Sequence, residues 1–402
     1  MKKKVALILL VICVSFTLSG CWSSEEPKNL AIINSIIYDC DEEGNYLVTA
    51  QIINTSSISS SGMGTTTDKN PSLIIKGKGA SVAAAVDNMT ARLEKNLFAA
   101  HNKVRFLSQR LVSDEYCFTK FLDFIFRDSI ADETSLLVVV KNEDLDKIYK
   151  SAIGLATLTG NFVDTLHQKK QEHSSSSVFY RTFEFVREYY EDGIDPVMGQ
   201  VYFHPLEGTP TLNPGGDMKE AKYELTSEGM AVFKDLRFVD FMDASDTEIY
   251  NVVFNNAKIV KFDMFLDSDT VSMVLVKPSA DIKVSKKDDQ VYVDIKVTGK
   301  IIVSNFFIYD INDENSDARL KEVEAKASEH LAKRSVESIK RGLALGCDIY
   351  GFGQKFHASN PKVWREISKD WENYYKNAIV NVEYKLNLSR EGEINRPFAK
   401  ED

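Results

Sequence analysis

Cysteine is scarce in this sequence, with five among 402 residues. Two of them, Cys13 and Cys21, lie near the N-terminus, and Cys40, Cys117 and Cys347 are far apart in the rest of the chain. None forms a C-x-x-C pair, the spacing that zinc modules and redox motifs use. The sequence therefore excludes a cysteine-rich zinc module and a disulfide-dense scaffold.

Positive charge is also in short supply. Lysine and arginine number 49 against 59 aspartate and glutamate residues, which gives a formal charge of −10 at pH 7. A field of this sign repels a nucleic-acid backbone, so nucleic-acid binding is not expected. Long apolar runs are missing from the body as well, since charge interrupts even the stretch at 136–140 within a few positions. A membrane-spanning helix needs about 20 apolar residues, so none is expected after residue 21.

Recognisable catalytic and cofactor motifs are missing too. Residues 77–82 resemble the start of a dinucleotide fingerprint, but Val82 replaces the third glycine, so we predict a tight strand-to-helix turn instead. No G-x-S-x-G motif occurs. The histidines are too dispersed for a local metal pair and lie at 101, 167, 173, 204, 330 and 357. We assign no catalytic residue, no cofactor-binding residue and no metal ligand, and leave open a metal site assembled from distant residues.

What the sequence does contain is an export signal at its N-terminus. Three lysines at 2–4 precede an uncharged run at 5–18, and the small residues Ser19 and Gly20 follow. This order is typical of a secretory signal. The uncharged run has 14 residues, fewer than the roughly 20 needed to span a bilayer. A cleaved signal is therefore favoured over a permanent transmembrane anchor.

The tetrad Leu-Ser-Gly-Cys at 18–21 resembles the bacterial lipobox. In that motif the peptidase cuts before the cysteine, which carries a diacylglycerol and, as the new N-terminus, an N-acyl chain. We predict cleavage after Gly20 and lipidation of Cys21; the alternative is a plain secretory signal with an incidental cysteine. Removal of 20 residues that include three lysines would leave 382 residues and move the formal charge from −10 to −13.

Composition and periodicity divide the rest of the chain. Strand and helix patterns alternate in the first third, a Pro- and Gly-rich stretch at 208–216 indicates a boundary, and the last third has strands, two helices and a final strand. The predicted parts are a lipoprotein-type signal peptide at 1–20, an N-terminal α/β domain at 21–205, a small middle domain at 206–265 and a C-terminal α+β domain at 266–402.

Individual elements follow from periodicity and capping residues. A turn at 41–45 is expected to join a first hairpin, and Ser81 is expected to cap the helix that follows residue 80. Asn360 and Pro361 are expected to begin a late helix. We further expect a strand at 104–112 and two short strands around 234–235. Helices are expected at 148–168, 179–190, 248–254 and 320–345.

Five blocks in order along the chain resemble the Ger(x)C lipoproteins, the C-subunit family of spore germinant receptors. They lie at 21–32, 101–108, 121–128, 229–234 and 348–353, the last followed by Pro361, Trp364 and Trp371. The block at 348–353, Asp-Ile-Tyr-Gly-Phe-Gly, is the most specific of them, and we interpret it as a chain reversal after the long helix. At 23–24 the chain has two serines where the family often has Asp-Arg.

This resemblance implies a fold of three successive mixed α/β domains, an α+β class with mainly antiparallel or mixed sheets and packed helices. It also implies a non-enzymatic subunit of a nutrient receptor on the outer face of the spore inner membrane, working with integral-membrane A and B subunits. The lipid on Cys21 would be the membrane attachment, without any cofactor.

Two other functions are weighed against this one. A solute-binding lipoprotein of a transporter would also have a lipobox and an α/β body, but it predicts two similar lobes that close on one deep polar pocket. A lipid-anchored hydrolase would need a nucleophile motif, which the sequence lacks.

Overall fold

The computed structural model describes residues 29–54, 71–127, 132–151, 153, 156–173, 175–206, 223–266, 269–303 and 316–389. Within these ranges the chain forms two β-sheets with helices packed against them. The first sheet uses strands from residues 30–242, and the second uses strands from residues 259–388. The α+β class with mixed sheets and packed helices, expected from the sequence, is confirmed.

Eleven strands of the described chain make up the first sheet. They are β1 (Leu30–Cys40), β2 (Tyr46–Ile53), β3 (Ser72–Gly79), β4 (Asn96–Phe98), β5 (Val104–Ser108), β6 (Leu136–Val140), β7 (Tyr180–Arg181), β8 (Val197–Pro205), β9 (Tyr223–Thr226), β10 (Met230–Lys234) and β11 (Arg237–Met242). Their order is β11-β10-β8-β6-β5-β1-β2-β3, with β4, β7 and β9 paired to β1, β6 and β8.

The centre of this sheet is parallel, and its edges are antiparallel. β1, β5, β6 and β8 run parallel, whereas β2 and β3 complete one edge and β10 and β11 the other by antiparallel pairing. A parallel strand covered on both faces is apolar throughout, which explains the fully buried Leu-Leu-Val-Val-Val sequence of β6. The expected hairpin is confirmed, because β1 and β2 pair from Cys40 opposite Tyr46 around the turn at 41–45.

Helices cover both faces of the first sheet. They are α1 (Val82–Thr90), α2 (Gln109–Ser113), α3 (Glu115–Arg127), α4 (Thr159–His173) and α5 (Thr182–Tyr189), with a short 3₁₀ helix at Leu145–Lys150. On one face Phe118, Phe185 and Phe233 pack ring against ring within a core that includes residues of α1, α2 and α3. On the other face Ile148 and Val163 belong to a separate core over the centre of the sheet.

The second sheet has the order β12-β13-β14-β15 and lies in the C-terminal part of the chain. Its strands are β12 (Ile259–Leu266), β13 (Asp269–Lys287), β14 (Gln290–Val303) and β15 (Ile379–Leu388), and the helices of this part are α6 (Ala244–Val253), α7 (Ser316–Leu345), α8 (Phe352–Ser359), α9 (Pro361–Ile367) and α10 (Trp371–Lys376). Val323, Ala327, Leu331, Ile339 and Leu343 of α7 are buried, as the sequence period predicts.

A single hydrophobic core joins the two sheets. Val197 of β8 and Met230 and Val232 of β10 lie in the same buried cluster as Tyr250 of α6 and Leu275 of β13. These residues are at most 1% exposed. The C-terminal part therefore packs against one face of the first sheet beside β8 and β10.

The segment predicted as a middle domain, 206–265, does not form a sheet of its own among its described residues. β9 returns to pair with β8, β10 pairs with the other side of β8, and β11 completes the edge, while β12 begins the second sheet. The Pro- and Gly-rich stretch that indicated the boundary, at 208–216, lies outside the described residues. A Pro- and Gly-rich stretch shows where two elements are connected. It does not show whether the next strand pairs with the same sheet or begins a new one.

Several predicted elements have different limits in the structure. The strand expected at 104–112 stops at Ser108, because the Ser108 hydroxyl caps α2 by accepting a hydrogen bond of 2.9 Å from the Leu111 amide. The helix expected at 179–190 begins only at Thr182, since residues 180–181 pair with β6 as β7. The helix expected at 148–168 is divided between the 3₁₀ helix and α4, and the helix expected at 248–254 begins at Ala244, capped by Asp243.

We expect the two sheets to unfold together, because they share one core. Val197→Ala removes two buried methyl groups from that core and should lower the free energy of unfolding by roughly 2 kcal/mol. Calorimetry should show one transition for the parent chain, and the variant should shift all of it. Val363→Ala, at a residue 36% exposed on α9, is the matched control and should leave the transition unchanged. Two separate transitions would contradict a shared core.

Candidate functional site

The residues predicted for processing, Gly20 and Cys21, lie outside the described part of the chain, so cleavage and lipidation stay predictions. Three other cysteines, Cys40, Cys117 and Cys347, are buried and form no disulfide bond. Within the described ranges, no three His, Cys, Asp or Glu side chains lie together in a way that could hold a metal ion.

The segment at 77–82 comprises the end of β3, a two-residue connection and the start of α1, and its glycines allow the strand and the helix to pack closely. Ser81 caps α1, as predicted, by accepting a hydrogen bond of 3.1 Å from the Ala84 amide. A Cβ atom at Gly77 would lie 2.1 Å from the Ala85 carbonyl oxygen, and one at Gly79 would lie 2.5 Å from the Ala85 nitrogen. The glycines are therefore explained by the close approach of α1 to β3, without a ligand.

The most specific sequence block, 348–353, forms a buried polar junction between the two sheets. The Asp348 carboxylate accepts hydrogen bonds from the Phe352 amide at 2.9 Å, the Gly353 amide at 2.7 Å and the Trp371 indole at 2.8 Å. Asp348 is 3% exposed. Burial raises the pKa of Asp348 to about 7, although the three donors act to lower it. The Asp348 carboxylate thus holds the first turn of α8 and the indole ring of Trp371 in α10 next to each other.

A second carboxylate connects this point to the first sheet. The Asp195 side chain accepts the Asp348 amide at 2.6 Å and the Lys234 ammonium at 3.0 Å, and the Asp195 amide donates to the Asp348 carbonyl at 3.0 Å. Burial raises the pKa of Asp195, and the Lys234 charge lowers it. Asp195 precedes β8 and Lys234 ends β10, so these bonds hold the C-terminal part onto the antiparallel edge of the first sheet.

Glycines allow the backbones at this junction to approach closely. A Cβ atom at Gly353 would lie 2.7 Å from the Trp371 indole nitrogen and 2.8 Å from the Gly193 Cα. Gly351 has a φ of 63°, a left-handed conformation that favours glycine. The interpretation of 348–353 as a structural turn is therefore confirmed in its geometry, but the sequence did not indicate the buried carboxylate or its partner Asp195.

A polar cavity of about 570 Å³ lies between the first sheet and the helices of the C-terminal part. We call it the Glu188 cavity. Its lining residues are His167, Ser175, Ser177, Val178, Phe179, Tyr180, Arg181, Glu184, Arg187, Glu188, Glu191, Ile194, Asn251, Phe254, Asn256 and Gln354. They come from α4, β7 and α5 on one side and from α6, α8 and adjacent loops on the other. The size is within the range of small-molecule sites.

Glu188 is the unusual residue of this cavity. It is 8% exposed, and its Oε2 atom has no hydrogen-bond partner among the residues that the structure describes. Burial raises the pKa of Glu188 to about 7, while the Tyr180 hydroxyl and the Arg187 guanidinium lower it and Glu184 raises it. A buried carboxyl without a full set of partners costs stability. Helical periodicity places Glu188 on the buried side of α5, but a sequence gives no sign of whether its partners are complete.

The Asp348 junction can be tested by removing one acceptor. Asp348→Asn places an amide NH₂ against groups that donate, so the free energy of unfolding should fall by roughly 3 kcal/mol. Chemical denaturation measures the change. Asp192→Asn, an exposed aspartate in the same region, is the control and should change stability by less than about 0.5 kcal/mol. Equal effects of the two substitutions would contradict a structural role for Asp348.

Glu188 should make stability depend on pH. Because the pKa of Glu188 is about 7 in the folded chain and ordinarily 4.5, the unfolded chain loses this proton first as pH rises. The free energy of unfolding should therefore fall between pH 4.5 and 7.

Glu188→Gln removes the contribution of Glu188 to this dependence, whereas Asp348, whose pKa burial also raises, still contributes. The variant should match the parent chain near pH 4.5 and exceed its stability by about 3 kcal/mol above pH 7. Denaturation curves across this range measure the difference, and Glu191→Gln, at an exposed residue of the same cavity, is the control. A difference between Glu188→Gln and the parent chain that does not change with pH would contradict a raised pKa for Glu188.

The described helices include none that is both long and apolar enough to cross a membrane. The longest, α7, extends over 30 residues but carries charged side chains along its length.

Comparisons with known proteins cover nearly the whole chain. Spore germination protein KC of Bacillus subtilis (strain 168) is 20% identical, with 99% of this chain and 98% of the relative aligned. Putative spore germination protein YfkR of the same organism is 22% identical over 95% of each chain. A crystal structure of the GerBC protein matches with a TM-score of 0.52 at 13% identity, covering 88% of this chain and 96% of that one. At this identity the structural match shows a shared fold.

Two family models match consecutive parts of the sequence. Residues 23–201 match the spore germination protein N-terminal domain, and residues 228–392 match the spore germination B3/GerAC-like C-terminal domain. The second match includes both the Asp348 block and the helices that hold it. The resemblance inferred from the five sequence blocks is thereby confirmed: the chain belongs to the Ger(x)C family of spore germination proteins.

Proposed function

We propose that this chain is the lipid-anchored, non-catalytic subunit of a nutrient receptor complex that triggers spore germination. It would lie on the outer face of the spore inner membrane beside the integral-membrane A and B subunits. The observation that carries the proposal is the Leu-Ser-Gly-Cys tetrad at 18–21, which precedes a body that matches the spore germination family from residue 23 to residue 392.

The anchor would hold the body close to the membrane. A single acyl chain binds a bilayer only marginally, and two or more bind stably at about 0.8 kcal/mol for each buried CH₂. A diacylglyceryl Cys21 meets this requirement without a basic surface, which suits a cleaved chain of formal charge −13. Residues 22–29 connect Cys21 to β1, and such a connection reaches at most about 30 Å.

Anchoring would also explain how a body whose described helices include none able to cross a membrane could work with embedded partners. When two proteins are confined to one membrane, the effective concentration of each near the other rises, so a weak contact suffices for assembly. The shared core and the Asp348 junction support a coupling role, because they make the described body respond as one unit. A transporter's solute-binding lipoprotein would instead have two similar lobes, whereas the two sheets differ in strand number and order.

The proposal is tested by Cys21→Ala in spores. The variant should lose labelling by radioactive palmitate, leave the membrane fraction, and fail to germinate in response to nutrients. Ser24→Ala, beyond the predicted cleavage site, should behave like the parent chain in all three measurements. Normal nutrient-triggered germination by Cys21→Ala spores would overturn the anchored-subunit proposal.

A further inference from the structure

The Glu188 cavity combines features that favour a positively charged ligand. Three carboxylates line it, from Glu184, Glu188 and Glu191, against two guanidinium groups, from Arg181 and Arg187. Arg181 is engaged elsewhere, since its Nη1 donates to the Thr134 carbonyl at 2.6 Å. Glu184 is engaged as well, because its Oε2 accepts the Arg181 amide at 2.8 Å. Glu188 is thus the buried carboxyl of the cavity that still lacks a donor at Oε2 within the described chain.

Aromatic rings surround the same space. Phe179, Tyr180 and Phe254 line the cavity. The faces of aromatic rings attract cations, and a carboxylate together with such rings is a common way to bind an ammonium group. The rings are held in place by packing: Phe254 lies against Tyr250 with ring centroids 4.6 Å apart, and the Tyr180 hydroxyl shares a hydrogen bond of 2.8 Å with the Tyr250 hydroxyl.

The position of Glu188 allows contact with a ligand in the cavity. Glu188 lines the cavity, but its Oε2 atom is enclosed by protein, so the carboxyl group must rotate about its last torsion, which is broad in glutamate, to present this oxygen to a ligand. An ammonium group brings three donors and a positive charge, and it would supply the partner that Oε2 lacks. A neutral hydroxyl could donate only one hydrogen bond and would leave the buried charge uncompensated.

We propose that the Glu188 cavity binds a small organic molecule through a protonated primary amine, which hydrogen-bonds to the Glu188 carboxylate. The binding site lies between the first sheet and the C-terminal helices, so an occupant contacts both parts of the body. This inference does not depend on the lipid anchor or on the receptor role proposed above.

Butylammonium and 1-butanol are a matched pair of probes for this site. They have the same carbon chain, and only the first carries an ammonium group. Ligand-detected NMR with the full chain in detergent should show millimolar binding of butylammonium and no comparable binding of 1-butanol. Equal binding of the two probes, or no binding of butylammonium, would overturn the proposal.

Variants identify the carboxylate involved. Glu188→Gln should weaken butylammonium binding by about tenfold or more, because a charge-assisted hydrogen bond is lost. Glu191→Gln changes the charge of the same cavity at an exposed residue and should weaken it by less than about twofold. Unchanged binding by Glu188→Gln, or an equal loss in both variants, would assign the binding to general surface charge.

A second substitution addresses the aromatic contribution. Phe254→Leu keeps an apolar side chain but removes a ring face, and butylammonium binding should weaken by about threefold. Circular dichroism and the unfolding temperature of each variant establish that it is folded. If Phe254→Leu is folded and binds as tightly as the parent chain, the aromatic part of the proposed site is wrong.

Discussion

The structure depends on one buried carboxylate, that of Asp348, and on the donors gathered around it. A carboxylate taken out of water costs several kcal/mol unless hydrogen bonds replace its hydration. Here the replacements come from the start of α8 and from the Trp371 ring, while the Asp348 backbone bonds to Asp195 before β8. The need to satisfy one acidic group therefore determines how the helices of the C-terminal part lie on the first sheet.

Asp348 and Glu188 both lie buried between the first sheet and the C-terminal part, but they differ in their hydrogen-bond partners. Burial alone therefore does not define the role of an acidic residue. Asp348 has three donors on its two oxygens, and every one of them belongs to the local fold. Glu188 is almost as deeply buried, yet one oxygen of its carboxyl has no partner within the described residues, and the residue lines a polar cavity together with aromatic side chains. A complete set of partners is typical of an architectural residue, and an incomplete one is typical of a site that awaits a ligand.

Most of these strands and helices can be predicted from the sequence because their buried residues recur at a regular spacing. Alternating residues place β14 and β15, and apolar spacing places α7. The predicted C-terminal limit of β5 was wrong because the Ser108 hydroxyl caps the next helix. The predicted start of α5 was wrong because residues 180–181 pair with β6, a contact that only the tertiary structure shows. The middle domain expected at 206–265 was inferred from composition, whereas the described strands of that segment pair with strands of the two sheets. The Asp195–Asp348 contact joins residues 153 positions apart in the sequence. Periodicity and capping motifs extend over a few residues only, so they cannot predict such a contact.

The place of β1 in the first sheet has a mechanical consequence. β1 begins at Leu30, directly after the N-terminal segment, and it lies inside the sheet, antiparallel to β2 on one side and parallel to β5 on the other. A force applied through the N-terminus acts along this strand and loads the hydrogen bonds of both ladders at once, in shear. An edge strand such as β3 has only one neighbouring strand to share the same load. The body is thus built to withstand tension at the end by which it would be held.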